Sequence, residues 1–322
     1  MLKYILQRIG LMMVTMFIII SATFVLLQNI PNSEFDDPML DETLKAVLIT
    51  QYGLDRPVHE RYFMFIGNIL RGNLGTSTRL YPRQNVYAVI MERLPISMQL
   101  SILSSFMTYP MGLFLGILMA IKKNTSTDHF LSVFVVFFIS VPGFVIAALL
   151  QYFLAHRLGW FPLMLSTDRP HAWVFPAHKI HSMLLPALAL SFGSIMGIAR
   201  SMRGELSEAL TSDFMLLAKT KGLTHTQATL RHALRNSFVP MTGMIVGVFL
   251  SVFTGSLIIE SFFGIPGVGG MLIRAISVTD TPMIIGWMLM YTAMGLAGII
   301  ITDLLYGVVD PRIRIGGRKS EA

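Results

Sequence analysis

Long apolar runs alternate with polar segments along the chain. Because only helices and closed barrels satisfy their backbone in lipid, such runs predict an all-α polytopic membrane protein. About 20 residues, each rising about 1.5 Å, suffice to cross the hydrocarbon core. Six runs meet this requirement and predict six transmembrane helices, at residues 9–27, 97–121, 130–156, 183–199, 241–259 and 283–306.

Breaks inside the runs predict local distortions. Pro110, Gly112 and Gly116 lie in the second run, where neighbouring helices can re-satisfy the backbone. The Val-Pro-Gly sequence at 141–143 predicts a kink in the third run. The short fourth run is rich in Ala, Gly and Ser, so we expect it to approach its neighbours closely.

The first run has basic residues before it, as a signal peptide would. Lys3 and Arg8 precede it, but the run is long for a signal peptide and no small-x-small cleavage motif appears before Pro31. We therefore expect a retained first span whose N-terminus lies inside.

Composition and charge agree with a membrane protein. Hydrophobic residues make up 53% of the chain and charged residues 13%, against about 25% charged in soluble domains. Cysteine is absent, which excludes disulfides and thiolate metal sites. The net charge of +7 requires no nucleic acid, because basic residues collect on cytoplasmic loops.

The distribution of charge supports cytoplasmic N- and C-termini. Segments assigned inside hold fourteen Lys and Arg but six Asp and Glu, at residues 1–8, 122–129, 200–239 and 307–322. Outside segments hold eleven of each sign. An excess of basic residues in inside loops is the usual orientation signal.

Four regions follow from this map: a tail with the first span (1–30), an extracytoplasmic cap (31–95), the permease domain (96–306) and a cytoplasmic tail (307–322). In the cap, Asp41 is predicted to begin a helix that reaches Tyr52. Asp55 is predicted to cap a second helix with Pro57 in its first turn.

Residues 200–239 are the longest polar interruption in the second half of the chain. Asp213 is predicted to cap a helix whose apolar face carries Phe214, Leu217 and Ala218. Gly222 is predicted to end that helix in a left-handed turn.

A second short helix is predicted after this turn. Thr224 can cap it, and Arg231 and Arg235 then lie four residues apart on one face. Two short amphipathic helices between spans indicate either a docking element for a soluble partner or a solvated loop lying on its own membrane surface.

Four blocks, at 53–95, 213–236, 260–269 and 310–314, resemble the dipeptide/oligopeptide (and nickel) permease family of ABC importers. In the general importer signature Glu-Ala-Ala precedes the glycine, whereas here Leu216, Leu217 and Ala218 stand in those places. The resemblance assigns the ATPase-coupling role to Asp213, Phe214, Ala218, Lys219, Lys221, Gly222, Leu223, Arg231, His232, Arg235 and Asn236.

The resemblance implies a type I ABC importer permease fold and a cytoplasmic loop that inserts into a cleft on an ATPase. It also implies three kinds of partner: a second, related permease chain, two ATP-binding-cassette subunits and an extracytoplasmic solute-binding protein. ATP and Mg would be held by the ATPases and no cofactor by this chain, in a bacterial or archaeal cell membrane.

The chain carries no recognised catalytic motif. No Gly-Lys dipeptide occurs, so a P-loop lysine is absent, and neither Gly-x-Ser-x-Gly nor His-Glu-x-x-His is found. We therefore expect a non-catalytic subunit that another chain energises.

Other functions remain open at this point. His171, His178 and His181 are the support for nickel or a metal chelate as cargo. A stand-alone secondary transporter or channel would need several intramembrane ionisable groups, and the predicted spans hold one acidic residue, Asp303. Nothing positive favours a scaffold or sensor.

Asp303 and Glu260 are candidate polar residues of the membrane domain. A carboxylate within a span faces a polar interior or a partner. We expect Asp303 to pair with Arg200 or Arg203, to be solvated near the surface, or to line the path. We expect Glu260 to be a structural partner of the turn that follows it.

Replacement of Asp303 tests its role. We expect Asp303→Ala to lower transport, because a polar contact in the span is lost, without abolishing docking of the ATPase. Uptake assays and co-purification measure the two effects. Unchanged transport and stability would remove this residue from the mechanism.

Overall fold

The computed structural model describes the backbone of residues 2–28, 55–166, 173, 176–250, 252 and 255–309. Side chains are described for all of these except 2–5, 26–28, 245–246, 248–250 and 302–309. The described residues are mostly helical, and their β-structure is limited to one isolated bridge between Thr76 and Asn85. The all-α fold class is therefore confirmed.

Twelve α-helices follow one another in the described residues. The first six are α1 (Leu2–Gln28), α2 (Val58–Leu70), α3 (Val86–Ile121), α4 (Ser126–Ser140), α5 (Gly143–Leu150) and α6 (Ala177–Leu210). The second six are α7 (Asp213–Thr220), α8 (His225–Ala228), α9 (Leu234–Leu250), α10 (Leu257–Phe262), α11 (Val268–Ser277) and α12 (Thr281–Val309). Short π-helical segments extend α5 (Gln151–Arg157) and α8 (Thr229–Ala233).

Four described helices contain apolar stretches long enough to cross a membrane: α1, α3, α6 and α12. A fifth span exists if α4 and α5 are taken together. The predicted span 241–259 falls partly outside the described residues; α9 covers its beginning, and α10 starts at Leu257. The described residues thus form a polytopic protein with four or five of the six predicted spans.

The break in the third predicted span is much sharper than a kink. It lies at Val141–Pro142, as the Val-Pro-Gly sequence predicts, but α4 and α5 meet at 105°. Pro142 lacks an N–H and disfavours helical geometry at Val141, which has extended dihedral angles. The predicted break at 141–143 is therefore correct in position, but the bend is sharper than a kink, and the segment is a broken span or a re-entrant loop.

Helix α6 is longer than the span predicted within it. It begins at Ala177 and runs for 34 residues to Leu210, so 183–199 forms its middle. The predicted coupling loop at 200–239 consequently starts as a continuation of this helix.

Helices α3 and α6 make the most extensive contact between two helices in the described part of the chain. At Gly116 an added Cβ would lie 2.6 Å from both the Ala199 carbonyl oxygen and Met202 Cβ. At Gly112 it would lie 2.9 Å from Ile198 Cβ. Small residues four apart allow backbones to approach closely in lipid, where packing replaces the hydrophobic effect between helices.

Helix α2 lies against the C-terminal part of α1. The hydroxyls of Ser21 and Tyr62 are 2.6 Å apart, and Tyr62 packs edge-on against Phe24. The prediction that Asp55 caps this helix is wrong, because Pro57 occupies the N-cap position and no side-chain cap bond forms. The predicted helix from Asp41 to Tyr52 lies outside the described residues.

Asp280 connects the segment before α3 to the start of α12. Its buried carboxylate accepts hydrogen bonds from Ser77 Oγ (2.5 Å), Leu80 N (2.8 Å) and Arg79 N (3.0 Å), and from Met283 N (3.3 Å) in the first turn of α12. Burial raises the pKa of Asp280, but these hydrogen bonds outweigh burial and leave the pKa below its ordinary value.

Gly116→Ala tests the contact between α3 and α6. The added methyl overlaps Ala199 and Met202, so we expect the unfolding free energy to fall by about 1–3 kcal/mol, as in other overpacked cores. Thermal unfolding in detergent measures this change. The matched control is Gly193→Ala on α6, where an added Cβ meets nothing within 4 Å. An equal effect of the two substitutions would contradict the close contact.

Asp280→Asn should lower the unfolding free energy by about 1–3 kcal/mol near neutral pH, because an amide cannot accept all four bonds. Since the folded pKa is depressed, the stabilisation is complete above the unfolded pKa of about 3.9 and is lost as pH falls through the folded pKa. The difference between wild type and variant should therefore shrink only below about pH 4.

Chemical denaturation across pH measures this difference, with exposed Asp55→Asn as the control. A difference that widens on acidification would contradict the assignment.

Candidate coupling surface

Helix α7 is the first element of the predicted coupling loop, and its cap lies one residue earlier than expected. Ser212 occupies the N-cap position, and Asp213 lies in the first turn without a side-chain cap bond. The prediction that Asp213 caps the helix is therefore wrong. The Ser212 hydroxyl instead donates to the Ala209 carbonyl at 2.5 Å, which leaves it directed back toward α6.

The glycine turn after α7 is as predicted. Gly222 has φ +87°, a left-handed conformation that favours glycine. Its N–H donates to Lys219 O at 3.0 Å, and Leu223 N donates to Ala218 O at 3.3 Å. These bonds satisfy carbonyls at the end of α7 and fold the chain sharply toward α8.

The second helix has the predicted cap and an unpredicted π-helical turn. Gln227 N donates to Thr224 Oγ1 at 3.3 Å, and Thr224 N donates to Gln227 Oε1 at 3.1 Å, forming a capping box. Residues 229–233 then continue as a π-helix before α9 begins at Leu234. Arg231 and Arg235 are both exposed, one in the π turn and the other in α9.

The apolar residues of α7 divide between two environments. Met215 and Ala218 are buried and belong to the same cluster as Met202 and Leu206 of α6. By contrast, Phe214 is 37% exposed, and Leu216 and Leu217 are 66% and 56% exposed. Of the three residues of the predicted apolar face, Ala218 is buried within the chain, whereas Phe214 and Leu217 are exposed.

We call the exposed side chains of residues 213–236 the coupling surface. Its apolar part is Phe214, Leu216 and Leu217, with Leu230, 62% exposed, in the π turn. Its polar and charged members, all exposed, are Asp213, Lys219, Lys221, Gly222, Arg231, His232, Arg235 and Asn236, while Leu223 is partly buried. Apolar anchors among cationic side chains suit a groove with an acidic rim on another protein.

Arg203 holds the inner part of α6 against the start of α4. Its Nε and Nη2 donate to the two oxygens of Asp128 at 2.6 and 2.8 Å. The Asp128 carboxylate is fully buried and also accepts from Asn124 N (2.9 Å) and Ser132 Oγ (3.2 Å). Arg203 thus has a buried carboxylate partner, Asp128, that the sequence did not indicate.

The remaining intramembrane candidates are less constrained. Arg200 is exposed near the inner part of α6. Position 303 is helical within α12, but its side chain lies outside the described part of the chain. The proposed pairing or path-lining role of Asp303 therefore stays a prediction.

Glu260 is fully buried and binds the turn and helix that follow it. Its Oε2 accepts from Gly269 N (2.8 Å) and Gly270 N (3.1 Å) in the first turn of α11, and its Oε1 accepts from Ser256 N (3.1 Å). Ser97 Oγ of α3 accepts from Val268 N at 2.9 Å. Free N–H groups at the start of α11 are thereby satisfied by two side chains from other helices.

Gly267 is required by this arrangement. A Cβ at this position would overlap Ser97 Oγ and the Glu260 carboxylate. The Gly-x-Gly sequence at 267–269 therefore marks close approach of backbone to side chains, consistent with the absence of a preceding strand that a phosphate loop would need.

The described external histidines do not converge. His181 Nε2 lies 2.9 Å from the Trp160 carbonyl oxygen, and its ring packs beside Phe161. His171 is outside the described residues, and within those described no three His, Asp or Glu side chains group as metal ligands would.

Two polar contacts were not predicted from the sequence: the hydrogen bonds of Asp280 and the ion pair of Asp128 with Arg203. Thr125 and Asp128 have the spacing of a helix start, and Asp280 precedes Thr-Pro at the start of an apolar run, so both helix N-termini had a local signal. The pairing of Asp128 with Arg203 had none, because 75 residues separate the two in sequence.

Comparison with known families gives matches over nearly the whole chain. Residues 112–315 match the family model described as binding-protein-dependent transport system inner membrane component, and residues 1–101 match its N-terminal counterpart.

Curated relatives align over almost their full length. A dipeptide transport system permease protein of Lactococcus lactis is 36% identical over 98% of this chain and all of the relative. One of Bacillus subtilis is 32% identical over 97% of this chain and 98% of its own. An oligopeptide transport system permease protein of Haemophilus influenzae is 31% identical over 98% of this chain and all of its own.

Among solved structures, a MetNI methionine ABC transporter matches 68% of this chain and 97% of its own, with a TM-score of 0.49 and 16% identity. This chain belongs to the family of binding-protein-dependent transport system inner membrane components, the membrane permease subunits of ABC transporters.

Proposed function

We propose that this chain is a permease subunit of an ATP-driven importer for dipeptides or oligopeptides. It would form half of the translocation path and be moved by ATPase subunits that bind the coupling surface. The names of three relatives that align over nearly their full length support peptides as the cargo.

The exposed apolar residues of α7 are the observation that carries the proposal. Phe214, Leu216 and Leu217 lie within one eight-residue helix whose opposite side is already buried. Apolar side chains grouped on a solvent-facing loop favour a protein partner. The basic residues of the same segment favour its placement in the cytoplasm, where the ATPases are found.

The packing of α7 suggests how force would pass into the membrane. Met215 and Ala218 share a buried cluster with Met202 and Leu206, so α7 cannot move without displacing the inner part of α6. Close-packed interfaces switch between discrete arrangements more readily than they deform. ATP-driven closure of the partner would thus shift the population between inward- and outward-open states.

The partners follow from the same proposal. They are a second permease chain related to this one, two ATP-binding-cassette subunits that hold ATP and Mg, and an extracytoplasmic binding protein. The chain would lie in the cell membrane with both termini in the cytoplasm. Family membership supports this assembly over a stand-alone transporter or channel.

Removal of the apolar anchors tests the proposal. We expect the double variant Phe214→Ala with Leu217→Ala to lose at least about ten-fold in affinity for the ATPase subunits, since each of two anchors that become buried in the complex contributes on the order of 1 kcal/mol or more. Co-purification in mild detergent and titration with purified ATPase measure this loss.

The matched control is Leu158→Ala, a leucine 52% exposed in the loop assigned to the outer side, compared with 56% for Leu217. It should bind the ATPases as wild type does. Recovery of no nucleotide-binding chain with wild type, or equal capture by the double variant, would contradict the proposal. Uptake assays that compare peptides with nickel as the transported substrate then identify the cargo.

A further inference from the structure

Asp128 is a buried carboxylate with an unusually complete set of donors. It is fully buried, whereas the Arg203 side chain is 32% exposed. Two guanidinium N–H groups, one backbone N–H and one hydroxyl converge on its two oxygens, at 2.6–3.2 Å. No oxygen of this carboxylate is left without a donor.

The chemistry of this pair favours a role in geometry over one in net stability. A buried ion pair gains little free energy over apolar packing, because both groups must be desolvated. A planar guanidinium bound through two parallel N–H groups fixes the relative orientation of the two helices that carry the pair. Lysine would keep the charge but lose that orientation.

The position of the pair relates it to the coupling surface. Arg203 directly follows Met202, which contacts α3 at Gly116 and shares the buried cluster with Met215 of α7. The same stretch of α6 is thus held by α3 through close packing and by α4 through the ion pair. Only Thr211 and Ser212 separate α6 from α7.

We propose that Asp128 and Arg203 are positioning residues for energy coupling. They hold the inner part of α6 to α4, so a displacement imposed on α7 moves α3, α4 and α6 together. Without the pair, α6 tilts locally and absorbs the displacement. The inference rests on the proposed coupling role of residues 213–236.

Transport per ATP hydrolysed is the quantity that tests this inference. The complete transporter, with its ATPases and binding protein, is reconstituted in proteoliposomes with Asp128→Asn or Arg203→Lys. We expect the ratio of peptide transported to ATP hydrolysed to fall about five-fold or more, the lower range of coupling factors between sites. Co-purification of the ATPases should stay at the wild-type level, because the coupling surface is unchanged.

Glu208→Gln is the matched control. Like Asp128→Asn, it removes one negative charge, but from an exposed position on α6, the helix that carries Arg203. Its ratio should equal that of wild type. Arg203→Lys keeps both charges, so it decides the question if Asp128→Asn fails to accumulate in the membrane. An unchanged ratio in Arg203→Lys with normal ATPase binding would overturn the inference.

A distance measurement reports directly on the position of the end of α6 relative to α4. The chain has no cysteine, so spin labels can be placed at Lys123→Cys before α4 and Thr211→Cys after α6, both exposed and outside the coupling surface. We expect a narrow distance distribution in the labelled parent and a broader one after Arg203→Lys. An equally narrow distribution would overturn the inference. Failure of the wild-type chain to bind ATPases would contradict the coupling role itself, which separates the two outcomes.

Discussion

The close approach of α3 to α6 is the interaction on which the rest of the structure depends. Side chains of α6 belong to three buried clusters. The cluster at one end of α6 includes α3 and α5, the middle cluster includes α4, and the cluster at the other end includes α7. Residues of α3 belong to all three clusters, and Gly112 and Gly116 permit its close approach to α6. Helix α6 therefore contributes to one continuous packed layer that ends at the coupling surface.

Buried carboxylates perform a related task at the helix N-termini. Asp128 lies in the first turn of α4, Glu260 accepts from the first turn of α11, and Asp280 accepts from the first turn of α12. The first N–H groups of a helix have no partners within it and carry a partial positive charge. Glu260 and Asp280 satisfy such N–H groups with a buried carboxylate. The Asp128 carboxylate instead accepts from Asn124 N, which precedes α4, and its negative charge in the first turn is stabilised by the helix dipole.

The sequence was informative where the determinants are local. The apolar runs predict the helices that cross the membrane, Gly222 predicts the turn after α7, and Thr224 predicts the start of α8. Local reasoning was wrong where two residues compete for one role, as Ser212 and Asp213 do at the N-cap of α7. It also failed to show which side of α7 is buried, because apolar residues occur on both sides.

Long-range contacts lay beyond sequence reasoning for a different reason. Periodicity assigns a residue to a face of its own helix but not to a neighbouring helix. Arg203 therefore had Asp303 as a plausible partner until the fold brought Asp128 within hydrogen-bonding distance. The sharp bend at Pro142 was foreseen in position but not in angle, because its size is set by how α5 packs against α6 and α10.

The π-helical turn at 229–233 has a consequence for how such a surface can change over evolution. A π turn accommodates one more residue than an α turn, so a helix can absorb a one-residue insertion there. In a regular α-helix, gain or loss of one residue would rotate everything after it by about 100°, at 3.6 residues per turn. The π turn can instead take up such a change beside Arg231, so that the capping box at Thr224 before it and helix α9 after it keep their orientation.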